Sequence, residues 1–237
     1  MAVQVAEQMI DVLEGRPAPF AVNAPSISAD SARVLGPFIR LCQTLGSVAT
    51  QLAEGQLQAI EITYSGELAE HDTAALRASV IRGLLEPVSE ENITLVNASI
   101  VARNRGLRIT ERKSADPGSY ANLVTVSVDT SRGTSVVGGT IIDGEATIVE
   151  IDGHRVDVIP TGGQVLITRH TDQPGMIGKI GTILGQGDIN VGSMKVGRER
   201  PRGPALMLVS IDDPIPPDVL QSIKEVPGLE SVRLVRI

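Results

Sequence analysis

Residues 164–190 constrain this chain more than any other stretch, because a strand pattern turns there directly into a helix pattern. The apolar run at residues 165–168 is typical of a buried strand, and the chain breaks after it at residues 172–175, DQPG. Apolar residues then recur at helical spacing until the Gly-Gln-Gly stretch at residues 185–187. A helix that begins after Pro-Gly leaves its first backbone N–H groups open, so a small carboxylate can bind there.

The rest of the C-terminal third predicts three further strands and one further helix. We expect the strands at residues 190–196, 205–211 and 229–237, and a short helix at residues 217–226, which starts with proline. The resulting order is strand, helix, strand, strand, helix, strand. This order predicts a ferredoxin-like sandwich.

The succession DQPGMIGKIGTILGQGDIN, in this order of elements, resembles the opening of an ACT domain, a small regulatory module that binds amino acids. The resemblance implies that residues 163–237 form an ACT domain. It also implies that the side chains of His170, Asp172 and Asn190 hold the amino acid. ACT sheets of this kind commonly join side by side, so the resemblance further implies a homo-oligomer.

These residue types suit the groups of an amino acid such as L-serine. The carboxylate of Asp172 can accept from the ammonium group, and the amide of Asn190 can both donate and accept. His170 and the backbone N–H groups of Gly175 and Met176 can face the carboxylate of the ligand. Each side chain also has a simpler interpretation. Asp172 could only cap the helix, Asn190 could only occupy a turn, and His170 could only end a strand.

Residues 27–160 predict a mixed domain of helices and strands, so the whole chain is expected to be α+β. Apolar stripes predict helices over residues 35–52 and 76–85, with a shorter helix at 99–104. Proline fits only the first turn of a helix, so Pro37 predicts that the first helix begins near Gly36. Strands are expected at residues 59–64, 107–111, 123–128, 134–142, 146–151 and 155–159. Asp143-Gly144 and Asp152-Gly153 are strong hairpin signals between them.

The N-terminal residues predict one helix and a linker. Residues 3–14 carry apolar positions at helical spacing, and Pro17, Pro19 and Pro25 follow with few charges. A helix of about 12 residues is marginal by itself in water. It therefore packs either on the next domain of this chain or on another part of a larger protein.

Several segments together resemble the long form of D-3-phosphoglycerate dehydrogenases. VAEQMIDVLEGRPAPFAVNAP resembles the end of their catalytic part, and ITYSGELAEHDT, YANLVTV and VEIDGHRVD resemble their intervening domain. The resemblance implies that residues 1–26 are left from the catalytic part, residues 27–160 form the intervening allosteric substrate-binding domain, and the ACT domain follows. It implies a regulatory role in the first step of L-serine biosynthesis.

The resemblance also implies a second effector, a phosphorylated substrate-like anion, near His154 and Arg155. The alternative is that these two residues form an exposed polar strand end. Two other functions stay open for the chain as a whole: a β-type component of an iron–sulfur L-serine dehydratase, and a free-standing amino-acid-sensing module. The proline-rich segment at residues 15–25 favours the dehydrogenase.

We expect no catalytic residue, cofactor or metal site in this chain. Hydride transfer to NAD, the chemistry that the resemblance implies for the full-length family, uses a G-x-G-x-x-G turn between a strand and a helix. No such unit occurs here. Gly175, Gly178 and Gly181 recur inside a helix pattern, where close packing on a sheet explains the spacing. No two of the three histidines are spaced for a metal site on one helix.

The composition of the chain indicates which classes of binding partner and which cellular compartment to expect. The net charge of −7 and the aromatic content of 2% argue against a nucleic-acid protein. No apolar run reaches the ~20 residues that span a bilayer, and no signal peptide is evident, so a cytoplasmic protein is expected. The single cysteine, Cys42, predicts a buried core thiol rather than a disulfide. The charged run at residues 198–200, Arg-Glu-Arg, predicts a loop that faces solvent.

Overall fold

The structure is a computed structural model, and it describes residues 5–7, 9–10, 27–116, 118–160 and 162–237. Residues 5–7 and 9–10 are helical, as the apolar spacing of residues 3–14 predicts for them. The remainder of that helix and the linker predicted at residues 15–25 lie outside the described residues.

The first sheet has six strands in the order β2-β1-β3-β4-β5-β6. Its strands are β1 (Leu57–Gly66), β2 (Arg108–Ser114), β3 (Asn122–Thr130), β4 (Gly133–Ile142), β5 (Glu145–Ile151) and β6 (His154–Val158). Within this sheet, β1 and β2 are parallel and the other pairs of strands are antiparallel. The chain between β1 and β2 contains helices. Asp143 and Asp152 both have positive φ, and each is followed by a glycine with positive φ. The two predicted Asp-Gly hairpin turns are therefore confirmed.

Three helices belong with this sheet: α1 (Ala29–Leu52), α2 (Ala74–Leu85) and α3 (Ala98–Asn104). Short 3₁₀ turns at Glu67–Glu70 and Glu86–Val88 flank α2. Two glycines let the backbones of α1 and α2 touch. A Cβ atom on Gly46 would lie 2.2 Å from the Val80 carbonyl oxygen, and one on Gly83 would lie 1.8 Å from the Gln43 carbonyl oxygen. No larger residue fits either position without moving a backbone.

The predicted start of α1 near Gly36 is wrong, because the helix begins at Ala29. Ser28 caps it, with its hydroxyl oxygen accepting from the Ser31 N–H at 3.2 Å. Pro37 therefore lies inside the helix. Pro37 is exposed. Proline has no N–H group, so the carbonyl oxygen four residues before it lacks its helical donor and can bind water instead. The buried residues Leu35 and Phe38 hold the helix on the core on both sides of it.

The second sheet has four antiparallel strands in the order β10-β7-β9-β8. Its elements are β7 (Gln164–Thr171), α4 (Met176–Gln186), β8 (Val191–Arg198), β9 (Pro204–Ile211), α5 (Pro217–Lys224) and β10 (Leu229–Arg236). Along the chain this is the predicted βαββαβ order. The α+β class and the ferredoxin-like arrangement are confirmed.

Both faces of the second sheet are covered within this chain. Its front face, which includes Leu166 and Met207, packs on α4 and α5. Its back face, which includes Ile167 and Leu208, belongs to the same apolar core as α1 and the first sheet. Cys42 is buried without a disulfide in that core, as predicted. The two sheets are therefore packed together through the back face.

The glycines of α4 do not pack on a sheet, so the explanation given for their spacing is wrong. A Cβ atom on Gly178 or Gly181 would meet nothing within 4 Å. The residues of α4 that face the sheet are Met176, Ile180 and Leu184, which are buried. The glycines follow the other face of the same helix, because residues three and four apart share a face.

Candidate functional site

The turn between β7 and α4 forms one end of the second sheet. The Asp172 N–H donates to the Gly203 carbonyl oxygen at 2.8 Å, which ties this turn to the loop before β9. Gly175 has φ +88°, a left-handed conformation that favours glycine, and α4 begins at the next residue. The Pro-Gly pair therefore allows the sharp change of direction that the sequence predicted.

A cavity of about 380 Å³, which we call the effector cavity, opens beside this turn. Its lining includes His170, Asp172, Gly175, Met176, Val196 and Arg198. Four of the five predicted effector residues are among them. Strand register explains why Arg198 joins the group, because Arg198 pairs with Ala205 and Ala205 pairs with His170.

Asp172 is held by two donors in this cavity. Its Oδ2 atom accepts from Arg198 Nη1 at 2.8 Å and from the Arg202 N–H at 3.1 Å. The hydrogen bond from Arg198, followed by that from the Arg202 N–H, lowers the pKa of the Asp172 carboxyl below its usual value. Gly175 occupies the N-cap position of α4, and no side chain forms a capping hydrogen bond with the start of this helix. The alternative that Asp172 only caps the helix is therefore wrong.

His170 is buried at the wall of the cavity. Its Nδ1 atom has no hydrogen-bond partner among the described residues. Burial lowers the pKa of this imidazole, although the nearby Asp172 acts in the opposite direction. Near neutral pH the ring is therefore neutral.

Asn190 does not lie with the other predicted residues. Its backbone N–H donates to Asp213 Oδ2 at 3.2 Å, and its side-chain amide donates to Asp212. It precedes β8, whereas Arg198 ends that strand. The eight residues of β8 span roughly 26 Å at a rise of ~3.3 Å per residue. The expected convergence of His170, Asp172 and Asn190 is therefore wrong within a single chain.

Arg198 is the residue that sequence reasoning missed. The charged run at residues 198–200 predicted a solvent-facing loop, and Glu199 and Arg200 are indeed exposed. Arg198 instead ends β8 and binds Asp172. The alternation of residues along β8 could place Arg198 at the end of a strand, but only the pairing of β8 with β9 shows which end of the sheet it reaches.

The predicted anion-binding residues His154 and Arg155 do not converge. They are consecutive in β6, so their side chains point to opposite faces of the strand. The Nδ1 atom of His154 lies 3.1 Å from the Asp152 carbonyl oxygen, within its own hairpin. A hydrogen bond to Tyr120 raises the pKa of the exposed Arg155 guanidinium. A strand that places the two residues on different sides cannot focus both on one anion.

Among residues 5–7, 9–10, 27–116, 118–160 and 162–237, no three His, Cys, Asp or Glu side chains gather as metal ligands would. No helix in the same part of the chain has both the length and the apolar character needed to cross a membrane.

Comparison with known families decides what kind of chain this is. Residues 34–152 match the family model described as the D-3-phosphoglycerate dehydrogenase intervening domain. The chain belongs to this family. Residues 164–228 match the ACT domain, in agreement with the arrangement of the second sheet. The resemblance seen in the sequence to these two regulatory domains is confirmed.

The curated relatives are D-3-phosphoglycerate dehydrogenases. The relative from Synechocystis is 38% identical over 239 residues, which cover 100% of this chain and 43% of the relative. The relative from Methanocaldococcus jannaschii is 35% identical over 98% of this chain and 44% of the relative. The relative from Bacillus subtilis is 34% identical over 99% of this chain and 45% of the relative. The chain thus spans less than half the length of these relatives.

Proposed function

We propose that this chain is the regulatory portion of a D-3-phosphoglycerate dehydrogenase and that its ACT domain binds L-serine in the effector cavity. The family match supports the first part. The observation that carries the second part is the ion pair between Asp172 and Arg198, which sets one negative and one positive group in the wall of the same cavity. A free amino acid is a zwitterion and carries the complementary pair of charges.

In the proposed complex, each group of L-serine has a partner. The ammonium group binds the carboxylate of Asp172, which its low pKa keeps ionised at neutral pH. The carboxylate of the ligand binds the guanidinium of Arg198, which can make two parallel hydrogen bonds. The hydroxyl group lies toward His170, which lines the same cavity. Opening the Asp172–Arg198 pair costs little, since both side chains are in contact with solvent, which screens their attraction.

The open helix N-terminus adds to the carboxylate side of this complex. Gly175 and Met176 border the cavity, and the first N–H groups of a helix attract negative charge. The proposed ligand therefore lies between Asp172 on one side and Arg198 with the start of α4 on the other. A ligand with only one of the two charges would leave part of this arrangement without a partner.

Asn190 joins the proposed site only from a second copy of the chain. β8 is an outermost strand of its sheet and can pair with another strand. Antiparallel pairing of two copies of β8 about a two-fold axis brings the beginning of one strand beside the end of the other. Asn190 of the second copy then lies near Arg198. This arrangement agrees with the homo-oligomer that the ACT resemblance implies.

Thermal melting in the presence of amino acids tests the proposal. Serine that binds only the folded state stabilises it by ~2.7 kcal/mol at a hundredfold excess over Kd, which raises the Tm of a chain of this size by about 5–10 °C. We expect L-serine to give the largest shift, glycine a smaller one and D-serine the smallest. Asp172→Ala and Asn190→Ala should lose the shift.

The matched control is Glu61→Ala, which removes another carboxylate that pairs with an arginine, Arg112 at 2.9 Å, on the first sheet. This variant should keep the full response to L-serine. A wild-type protein without a stereoselective shift at millimolar L-serine would refute the assignment. So would variants of Asp172 and Asn190 that respond as the control does.

We further propose that this chain alone neither binds NAD nor oxidises 3-phosphoglycerate. The basis is the sequence, which has no G-x-G-x-x-G turn between a strand and a helix. The regulatory role would then be exerted on catalytic domains of the kind that the relatives' name describes. Saturable NADH binding, measured by fluorescence of the purified chain, would contradict this proposal.

A further inference from the structure

The strand β2 forms one open edge of the first sheet. In the sheet that the described residues build, β2 has β1 on one side and no strand on the other. The backbone N–H and C=O groups on its outer side therefore have no strand partner, and such a row can pair with another chain. β2 has seven residues, so this edge is about 23 Å long at ~3.3 Å per residue.

A cavity lies beside this edge. It has a volume of about 280 Å³, and we call it the edge cavity. It is lined by residues of β2, of α2 and α3, and of the loop before β2: Arg77, Ser99, Arg103, Leu107, Ile109 and Glu111. Ile109 and Glu111 are two residues apart and therefore share one face of β2. A strand added to β2 would place every second side chain on this face, next to the edge cavity.

Basic residues concentrate along the same edge. Residues 103–113 contain one glutamate and five basic residues, which we call the basic strip: Arg103, Arg105, Arg108, Arg112 and Lys113. All five are exposed. The chain as a whole carries a net charge of −7, so the basic strip is a local reversal of its charge. A surface of this kind attracts a negatively charged partner.

The chain's own carboxylates leave most of the basic strip unneutralised. Arg112 pairs with Glu61 at 2.9 Å. The other four basic residues form no ion pair within the part of the chain that the structure describes. Two of them donate to neutral oxygen atoms instead. Glu111, the one acidic residue of this stretch, pairs with Arg77 of α2 at 2.9 Å.

A second copy of the chain does not fit this edge. Antiparallel pairing of two β2 strands about a two-fold axis centred on Thr110 would set Arg108 of one copy opposite Arg112 of the other. Like charges directly opposite each other destabilise a strand pair. Basic residues can indeed protect an edge from such pairing. Protection alone, however, requires neither the edge cavity nor the basic residues Arg103 and Arg105, which lie outside β2.

We propose that β2 binds an extended acidic segment of another protein, which adds to the first sheet as a further strand. Acidic side chains on one face of the segment would meet Arg108 and Arg112, which share a face of β2. Apolar side chains on its other face would enter the edge cavity beside Leu107 and Ile109. In strand addition, main-chain hydrogen bonds provide affinity and pockets for alternate side chains provide specificity. The proposal does not rest on serine binding.

The test is fluorescence anisotropy of a short labelled peptide, in which glutamate and valine alternate, titrated with the full chain at low ionic strength. We expect saturable binding. Arg108→Glu should weaken it about fivefold or more, because repulsion replaces attraction. The control, Lys224→Glu, makes the same change of charge at an exposed position of α5 and should leave the affinity unchanged. Far-ultraviolet circular dichroism verifies that both variants fold.

Two further peptides test the mode of binding. Replacing every valine with serine keeps the charge but removes the apolar side chains, and proline at the central position removes an N–H donor from the added strand. Both peptides should bind more weakly. Binding of the original peptide should also slow amide hydrogen exchange in β2 and leave β10 unchanged.

The proposal is overturned if the alternating peptide does not bind saturably at millimolar concentration. It is also overturned if Arg108→Glu and Lys224→Glu weaken binding equally, since the effect would then reflect overall charge. Equal affinities of the three peptides, or unchanged hydrogen exchange in β2, would likewise exclude the addition of a strand.

Discussion

The side chain of Gln51 forms hydrogen bonds with both backbone polar groups of Arg236. Its Oε1 atom accepts from the Arg236 N–H at 2.9 Å, and its Nε2 atom donates to the Arg236 carbonyl oxygen at 3.0 Å. Arg236 ends β10, an outermost strand of the second sheet. Outermost strands have backbone groups without a strand partner. The amide of Gln51 takes the place of such a partner and connects α1 to the second sheet.

Replacing Gln51 with alanine should therefore weaken the contact between the two sheets. Two hydrogen bonds contribute about 1–3 kcal/mol together, at ~0.5–1.5 kcal/mol each. We expect Gln51→Ala to lower the free energy of unfolding by an amount in this range, measured by urea denaturation. Gln58→Ala, at an exposed position of β1, serves as the control. Equal stability of the two variants would show that the amide contact contributes nothing.

Two helical glycines, Gly83 in α2 and Gly178 in α4, give a prediction in which substitution by alanine has opposite effects. A Cβ atom on Gly83 would lie 1.8 Å from the Gln43 carbonyl oxygen, so Gly83→Ala must push two helices apart. We expect it to lose about 1–3 kcal/mol of stability. Gly178→Ala places its methyl group where nothing lies within 4 Å, and alanine favours a helix by up to ~1 kcal/mol. Thermal melts of both variants should shift in opposite directions.

Local chemistry made most of the fold predictable from the sequence. The two Asp-Gly pairs need positive φ values and give hairpins wherever they lie between strand patterns. The change from alternating to helical spacing after Thr171 marks the turn into α4 independently of any distant contact. Local signals of this kind fix the type and order of elements in the second sheet.

Long-range contacts decided what the sequence could not give. Pro37 is tolerated inside α1 because the buried residues around it hold the helix in place, which a local rule for proline cannot include. Arg198 reaches Asp172 only through the register of three strands. The resemblance to an ACT domain implied that Asn190 lies near His170, yet a full strand length separates Asn190 from the effector cavity. Each of these outcomes depends on residues distant in sequence.

The buried imidazole of His170 gives a prediction about pH. Burial lowers its pKa in the folded state, whereas an unfolded histidine has a pKa of about 6.5. As the pH falls below about 6.5, the unfolded state therefore binds a proton more readily, and stability decreases. From about pH 7.5 to about pH 5.5, the Tm of wild type should fall further than that of His170→Gln. Gln58→Ala, which removes no titratable group, should follow wild type.

The outermost strand β8 gives a prediction about assembly. Antiparallel pairing of two copies about a two-fold axis, centred on Met194, sets residue 190 of one copy opposite residue 198 of the other. The variant with both Asn190→Cys and Arg198→Cys should then form a disulfide-linked dimer under mild oxidation. The two positions cannot bridge within one chain, because they lie roughly 26 Å apart or more at ~3.3 Å per residue, whereas a disulfide needs Cα atoms ~4.4–6.8 Å apart. The native Cys42 is fully buried. The control is the variant with both Asn190→Cys and Glu145→Cys, because residue 145 lies on the first sheet. Dimer yields are compared on a non-reducing gel. Equal yields for the two variants, or a strict monomer by light scattering of the wild-type chain, would exclude this pairing of β8 strands.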